Sequence, residues 1–153
     1  MSKHTILLHP DQSYFIWKAS WLSLLSCMYA ISQGYNELAI VPGGVFITSI
    51  NYWRNPDYSW RRTLDMYYVR IALSYQIIRS YNSEYAAIHL ICMIMAVSCF
   101  PLSWKYYNNN QIWTSVYIHS MVHLLGNIGN IILYSGKIDS IENNPILKYL
   151  TEK

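Results

Sequence analysis

The sequence predicts an all-α membrane protein, a polytopic helical bundle of about five transmembrane helices. Of its 153 residues, 53% are hydrophobic and only 12% are charged, against roughly 25% charged residues in a soluble domain. The 15 tyrosines and six tryptophans are amphipathic residues of the kind that collects at membrane interfaces, and they explain much of the modest mean hydropathy of +0.11. We therefore expect the lipid bilayer to be the main partner of the chain.

The predicted bundle covers residues 1–134, and a polar tail follows at 135–153. The predicted spans lie at about 14–32, 39–53, 64–79, 84–103 and 112–134. The fifth span has 23 residues without a Lys, Arg, Asp or Glu. At about 1.5 Å per residue it is long enough to cross a hydrocarbon core of roughly 30 Å.

The first two spans carry small or helix-breaking residues. In the first span, Ser20, Ser23 and Ser26 form a strip of small side chains that is suited to close helix packing. In the second span, Pro42 and the two glycines that follow it permit a kink or an unwound turn.

The third and fourth spans contain polar residues that need a place within the bundle. Asp65, Arg70 and Gln76 make the third span the least apolar, and charged groups at membrane depth are costly unless protein covers them. We therefore expect this helix to be central and enclosed. His89, near the start of the fourth span, is expected to be a packed or interfacial histidine.

The fifth span has one polar face. A turn of about 100° per residue places His119, His123, Asn127 and Asn130 close together on that face. Lipid tails cannot hydrogen-bond these groups, so each would cost several kcal/mol if it were left unpaired. We therefore expect the face to lie against other helices or a wet cavity.

The distribution of basic residues predicts the orientation. Five crossings place most of them on one side of the membrane: Lys3, Lys18, Arg54, Arg61, Arg62 and Lys105. Because cytoplasmic loops are rich in Lys and Arg, the N-terminus is predicted to be cytosolic and the C-terminus to lie on the opposite side.

Charge and cysteine content exclude other classes. A net charge of +3 is too small to indicate a nucleic-acid partner. Cys27, Cys92 and Cys99 all fall within hydrophobic segments without a Cys-x-x-Cys spacing, so we expect buried free thiols.

Four polar residues are expected at the same depth, in the cytosolic half of the membrane: Ser49, Asp65, His119 and His123. Two histidines four residues apart on a helix project from one face and can share a metal ion. A catalytic zinc normally has three protein ligands, so Asp65 is the candidate for the third ligand or for the general base. Ser49 is the candidate to hydrogen-bond the site.

Three short blocks carry a resemblance to a known superfamily: SINYWR at 49–54, RRTLDM at 61–66 and HSMVH at 119–123. In them the chain resembles the integral-membrane hydrolases that include alkaline ceramidases, haemolysin-III-like proteins and the adiponectin and progestin receptors. The resemblance implies a zinc site on the cytosolic side, with an Asp that holds or activates the attacking water. Trp53 stands where that superfamily has its third His, and an indole cannot coordinate a metal ion. The resemblance then implies a degenerate site or one rebuilt from His119, His123 and Asp65.

Two functions stay open on the sequence alone. In the first, the chain is a multi-pass membrane protein without catalytic activity, with a structural or binding role, no cofactor and a buried polar cluster. In the second, it is a zinc-dependent membrane hydrolase acting on an amide or ester bond of a lipid, with Asp65 and Ser49 as its catalytic residues.

Overall fold

The computed structural model describes residues 7–151 and is all-helical over that range, which confirms the predicted all-α class. The long helices are α1 (Pro10–Ser32), α2 (Asn36–Trp53), α3 (Trp60–Ser80), α4 (Ala86–Asn108) and α5 (Ile112–Ser135). A 3₁₀ turn at Ile141–Asn143 and the short helix α6 (Pro145–Thr151) follow them. No strand occurs among these residues.

Short links make consecutive long helices antiparallel. The start of α1 therefore shares one end of the bundle, here named the N-terminal end, with the α2–α3 and α4–α5 links. Two hydrogen bonds join these segments there: the Leu7 amide donates to the Pro56 carbonyl at 3.0 Å, and the Tyr107 hydroxyl donates to the Leu7 carbonyl at 3.1 Å. At the opposite end the Tyr35 hydroxyl donates to the carbonyl of Gly136 at 2.7 Å.

The first helix lies in the middle of the bundle, between α2 and α5. Its small side chains make this position possible, because Ser20, Ser23 and Ser26 are all buried and let the neighbouring backbones approach. The predicted packing role of the serine strip is thus confirmed. Helix α4 packs on α5, and α3 packs on α2.

The expectation that the third helix is central and enclosed is wrong. Helix α3 lies at the edge of the bundle, packs mainly on α2 and makes little contact with α4. A single buried face covers the polar residues of α3 that need cover. Asp65 and Gln76 lie on that face, whereas Arg70 is exposed. The Arg70 guanidinium lies 5.8 Å from the centre of the Tyr67 ring instead of within the bundle.

Helix α2 continues through Pro42, and two tyrosine hydroxyls donate hydrogen bonds to its backbone carbonyls near the proline. Proline has no amide hydrogen, so it leaves the carbonyl of Leu38 without its helical donor. The Tyr134 hydroxyl donates to that carbonyl at 3.5 Å, and the Tyr68 hydroxyl donates to the carbonyl of Ile40 at 2.7 Å. The Tyr68 ring passes so close to α2 that a Cβ atom at Gly44 would lie 1.9 Å from its oxygen.

Two of the helices in the described range, Ala86–Asn108 and Ile112–Ser135, are long and apolar enough to cross a membrane. These are α4 and α5, which pack against each other.

Candidate functional site

A cavity of about 110 Å³ lies at the N-terminal end of the bundle, and each of the five long helices contributes to its wall. Its aromatic side chains are Tyr52, Trp53, Phe100, Trp104 and Tyr107. Its polar side chains are Arg62, Asp65, Ser103, Ser115 and His119. Leu7 and Leu8, from the segment before α1, also line it.

The size of the cavity limits what it can hold. Binding sites for drug-sized molecules measure about 300–1,000 Å³. An engineered cavity of about 150 Å³ binds benzene, and one water takes a share of about 30 Å³ in the liquid. At about 110 Å³ the cavity therefore suits three or four waters or one small organic group.

Asp65 is the central polar residue of the cavity wall. It is 8% exposed, and its Oδ1 atom accepts hydrogen bonds from the Ser49 hydroxyl at 2.7 Å and the Thr48 hydroxyl at 2.8 Å. Ser49, the candidate to hydrogen-bond the site, thus donates to Asp65 in the structure. Thr48 was not predicted, although its position next to Ser49 on the same helix was a signal. Among the described residues, no cation forms an ion pair with Asp65, and its Oδ2 atom has no hydrogen-bond partner.

His119 and His123 lie together, as their spacing predicted. Their ring centres are 5.8 Å apart, and the His119 ring packs against Trp53 with centres 4.7 Å apart. His119 lines the cavity, whereas His123 is one turn deeper and is not among the described residues of the cavity wall. Neither imidazole forms a hydrogen bond within the described part of the chain.

The rest of the polar face of α5 is buried against other helices, as expected. The amide of Asn127 accepts from the Ser26 hydroxyl at 2.7 Å and donates to the Ser23 hydroxyl at 3.2 Å. The Asn130 side-chain oxygen accepts from the Gln76 amide at 2.6 Å. These two asparagines connect α5 to α1 and to α3.

The predicted zinc ligands His119, His123 and Asp65 are not grouped as a metal site in the described part of the chain. A catalytic zinc ion needs three protein ligands and an open position. Within residues 7–151, no three His, Cys, Asp or Glu side chains are placed to hold a metal ion. Asp65 directs one oxygen to two hydroxyl groups, and the Trp53 ring packs against the His119 ring.

His89 is a packed histidine, as expected, and it lies away from the cavity. It is fully buried between α4 and α5, and its Nδ1 atom lies 3.2 Å from the carbonyl oxygen of Gly129.

The opposite end of the bundle holds an ion pair that sequence analysis missed. The guanidinium of Arg79 donates to the Glu37 carboxylate at 2.5 and 2.8 Å and to the carbonyl of Asp139 at 3.1 Å. Tyr75 also donates to Glu37. This cluster joins α2, α3 and the segment after α5, and it takes no part in the cavity.

Comparisons with protein-family models, with curated proteins and with solved structures find no match to this chain. The case for a function therefore comes from the geometry of the chain itself.

Proposed function

We propose that this chain is a non-catalytic integral membrane protein of five transmembrane helices, whose cavity at the cytosolic end binds a small molecule. The observation that carries the proposal is the cavity at the N-terminal end, to which every long helix contributes and in which a buried carboxylate has a free oxygen. The cavity has room for one small organic group beside this carboxylate.

The exposed surface supports five crossings. Every long helix exposes large apolar side chains, for example Met28 on α1, Ile40 on α2, Ile71 on α3, Ile91 on α4 and Ile131 on α5. Ile40 and Ile71 are 69% and 68% exposed. Soluble monomers rarely expose apolar patches larger than a few hundred Å². A hydrocarbon environment around all five helices accounts for this surface.

The N-terminal end of the bundle has the character of a cytosolic membrane interface. Exposed aromatic residues surround it: Tyr14, Tyr58, Trp60, Trp104, Trp113 and Tyr117. The same end carries Lys18, Arg54, Arg61 and Arg62, which supports the orientation predicted from the basic residues. The cavity then opens towards the cytosol.

The alternative, a zinc-dependent hydrolase acting on a lipid amide or ester, has one observation in its favour: Asp65 and His119 line the same cavity. Two observations count against it. Among the described residues no group of three metal ligands is present, and at about 110 Å³ the cavity is smaller than the usual site for a drug-sized molecule. Binding without catalysis is the better supported function.

Labelling with a membrane-impermeant maleimide tests the membrane placement. Cys27, Cys92 and Cys99 are first replaced by alanine, and single cysteines are then introduced at Gln33 or Asn109, which are exposed in links at opposite ends. Intact cells should give labelling of Gln33→Cys, whereas Asn109→Cys should react only after permeabilisation. Labelling of both positions, or the reverse pattern, would contradict the proposed orientation.

Metal analysis of the purified chain separates the two functions. The binding proposal expects no stoichiometric zinc in the wild-type chain. One equivalent of zinc that is lost in His119→Ala would favour the hydrolase instead.

A further inference from the structure

The buried carboxylate of the cavity has no cationic partner. The Asp65 side chain is buried, with 8% of its surface exposed. Its described hydrogen-bond partners are the neutral hydroxyl groups of Thr48 and Ser49, and both donate to the same oxygen, Oδ1. A carboxylate in such a place is costly unless a cation compensates it. Its second oxygen, which is free within the described part of the chain, is available to a ligand.

The wall around Asp65 suits an organic cation. Five aromatic side chains line the cavity, and aromatic rings attract ammonium groups through their negative faces. Aromatic cages are the usual recognition sites of quaternary ammonium groups. The cavity of about 110 Å³ also fits a trimethylammonium group, which is smaller than the benzene held by a cavity of about 150 Å³.

Among the residues that the structure describes, Arg62 is the one Lys or Arg in the cavity wall, and its charge would repel a bound cation. Its guanidinium carbon lies 5.3 Å from the centre of the Tyr58 ring, and that ring is exposed. The Arg62 side chain also hydrogen-bonds the buried Tyr52 hydroxyl in the cavity wall, so its charge lies beside the cavity. Within the described part of the chain it forms no ion pair with Asp65. The described wall also contains the titratable groups Tyr52, Tyr107 and His119, and the His119 ring packs against Trp53.

We propose that the cavity binds a small organic cation of the quaternary ammonium class, with Asp65 as its counter-ion and the aromatic wall around its methyl groups. This inference rests on the proposed function, because it names the ligand of the same cavity. The ligand is either a free cation from the cytosol or the choline headgroup of a neighbouring lipid.

Titration calorimetry with choline tests the proposal. The probe control is the uncharged isostere of choline, in which a tert-butyl group replaces trimethylammonium. The full chain is placed in nanodiscs of phosphatidylglycerol, and choline should bind roughly tenfold or more tightly than the isostere. Absence of choline binding, or equal binding of both molecules, overturns the proposal.

Two charge variants give opposite results if the cavity is the binding site. Asp65→Asn should weaken choline binding by roughly tenfold or more, because it removes the counter-ion. Arg62→Gln should strengthen it by about threefold to tenfold, because it removes a like charge from the cavity wall. Glu142→Gln, which removes an exposed acid far from the cavity, is the matched control and should change nothing. If Asp65→Asn fails to fold, the Arg62→Gln result alone decides, and unchanged or weaker binding overturns the proposal.

The lipid composition of the nanodiscs identifies the source of the cation. Weaker binding of added choline in phosphatidylcholine than in phosphatidylglycerol shows that lipid headgroups already occupy the cavity. Equal binding in both shows that the ligand is a soluble cation. The maleimide labelling does not depend on any ligand, so failure of choline binding leaves the membrane placement intact.

Discussion

Asp65 is the residue on which the proposed site depends. Of its two hydrogen-bond partners, the sequence indicated Ser49 but not Thr48. An acid at the start of an apolar helix, and Ser49 near the end of the preceding one, predicted a polar contact that the structure contains. The sequence could not predict that two hydroxyl groups donate to the same oxygen of Asp65, because that depends on how α2 and α3 are rotated against each other. Thr48 joins Ser49 at Asp65 for the same reason.

Gly44→Ala is expected to destabilise the bundle. The added Cβ would lie 1.9 Å from the Tyr68 oxygen, so the ring has to leave and its hydrogen bond to the Ile40 carbonyl is lost. Overpacking and the lost hydrogen bond together cost about 1–3 kcal/mol. Thermal unfolding in detergent measures the change.

Gly126→Ala is the matched control for this variant, because nothing lies within 4 Å of its Cβ position in α5. It should be neutral or stabilising by up to about 1 kcal/mol, since alanine favours helix more than glycine does. Equal effects of the two substitutions would contradict the close approach of Tyr68 to α2.

The sequence predicted the buried face of α5 best, and it predicted the position of α3 in the bundle least well. The helical periodicity of α5 places four polar residues on one face, and three of them are buried as expected. For α3, composition suggested a central position, but the polar residues occupy a single face and need only one neighbouring surface. Composition therefore predicted that α3 contains buried polar groups without predicting which helices cover them.

Asn130→Leu tests the contact between α5 and α3. The substitution leaves the buried Gln76 amide without its acceptor at 2.6 Å, although the amide keeps a contact of 3.1 Å to the Tyr134 oxygen. The expected loss of stability is about 1–2 kcal/mol.

The double variant Asn130→Leu with Gln76→Leu should lose less than the sum of the two single variants, by about 0.6–1.7 kcal/mol. Additive losses in thermal unfolding would show that the two amides do not interact.

At the scale of the whole molecule, the two ends of the bundle differ in a way that the sequence does not reveal. Glu37 and Arg79 are far apart in the sequence, but their side chains are partners across 42 positions of the chain. A pairing of this kind depends on tertiary packing, which no local pattern encodes. The cavity at the other end has the same origin, because its wall combines residues from Leu7 to His119.

Glu37→Gln is expected to loosen the segment after α5. Arg79 is almost fully buried and holds this segment through the Asp139 carbonyl, so removing its counter-ion weakens the whole cluster. The stability loss should be about 1–3 kcal/mol, less than for a fully buried pair because the Glu37 side chain is 34% exposed.

Hydrogen exchange of residues 137–144 measures this loosening and should become faster. Arg70→Gln removes an exposed charge and serves as the control, with exchange unchanged. Equal exchange in Glu37→Gln and the wild-type chain would show that the ion pair does not secure the segment.

The central position of α1 has a consequence for biosynthesis. The hydroxyl of Ser26 reaches its acceptor on Asn127 only across 101 positions of the chain, and Ser23 accepts from the same amide. In the five-helix topology that we propose, a ribosome delivers the first helix to the membrane long before the last one arrives. Until then the hydroxyl groups of Ser23 and Ser26 lack their partner on α5. A chain that stops before residue 112 leaves these polar groups uncovered, and cellular quality-control factors can recognise them.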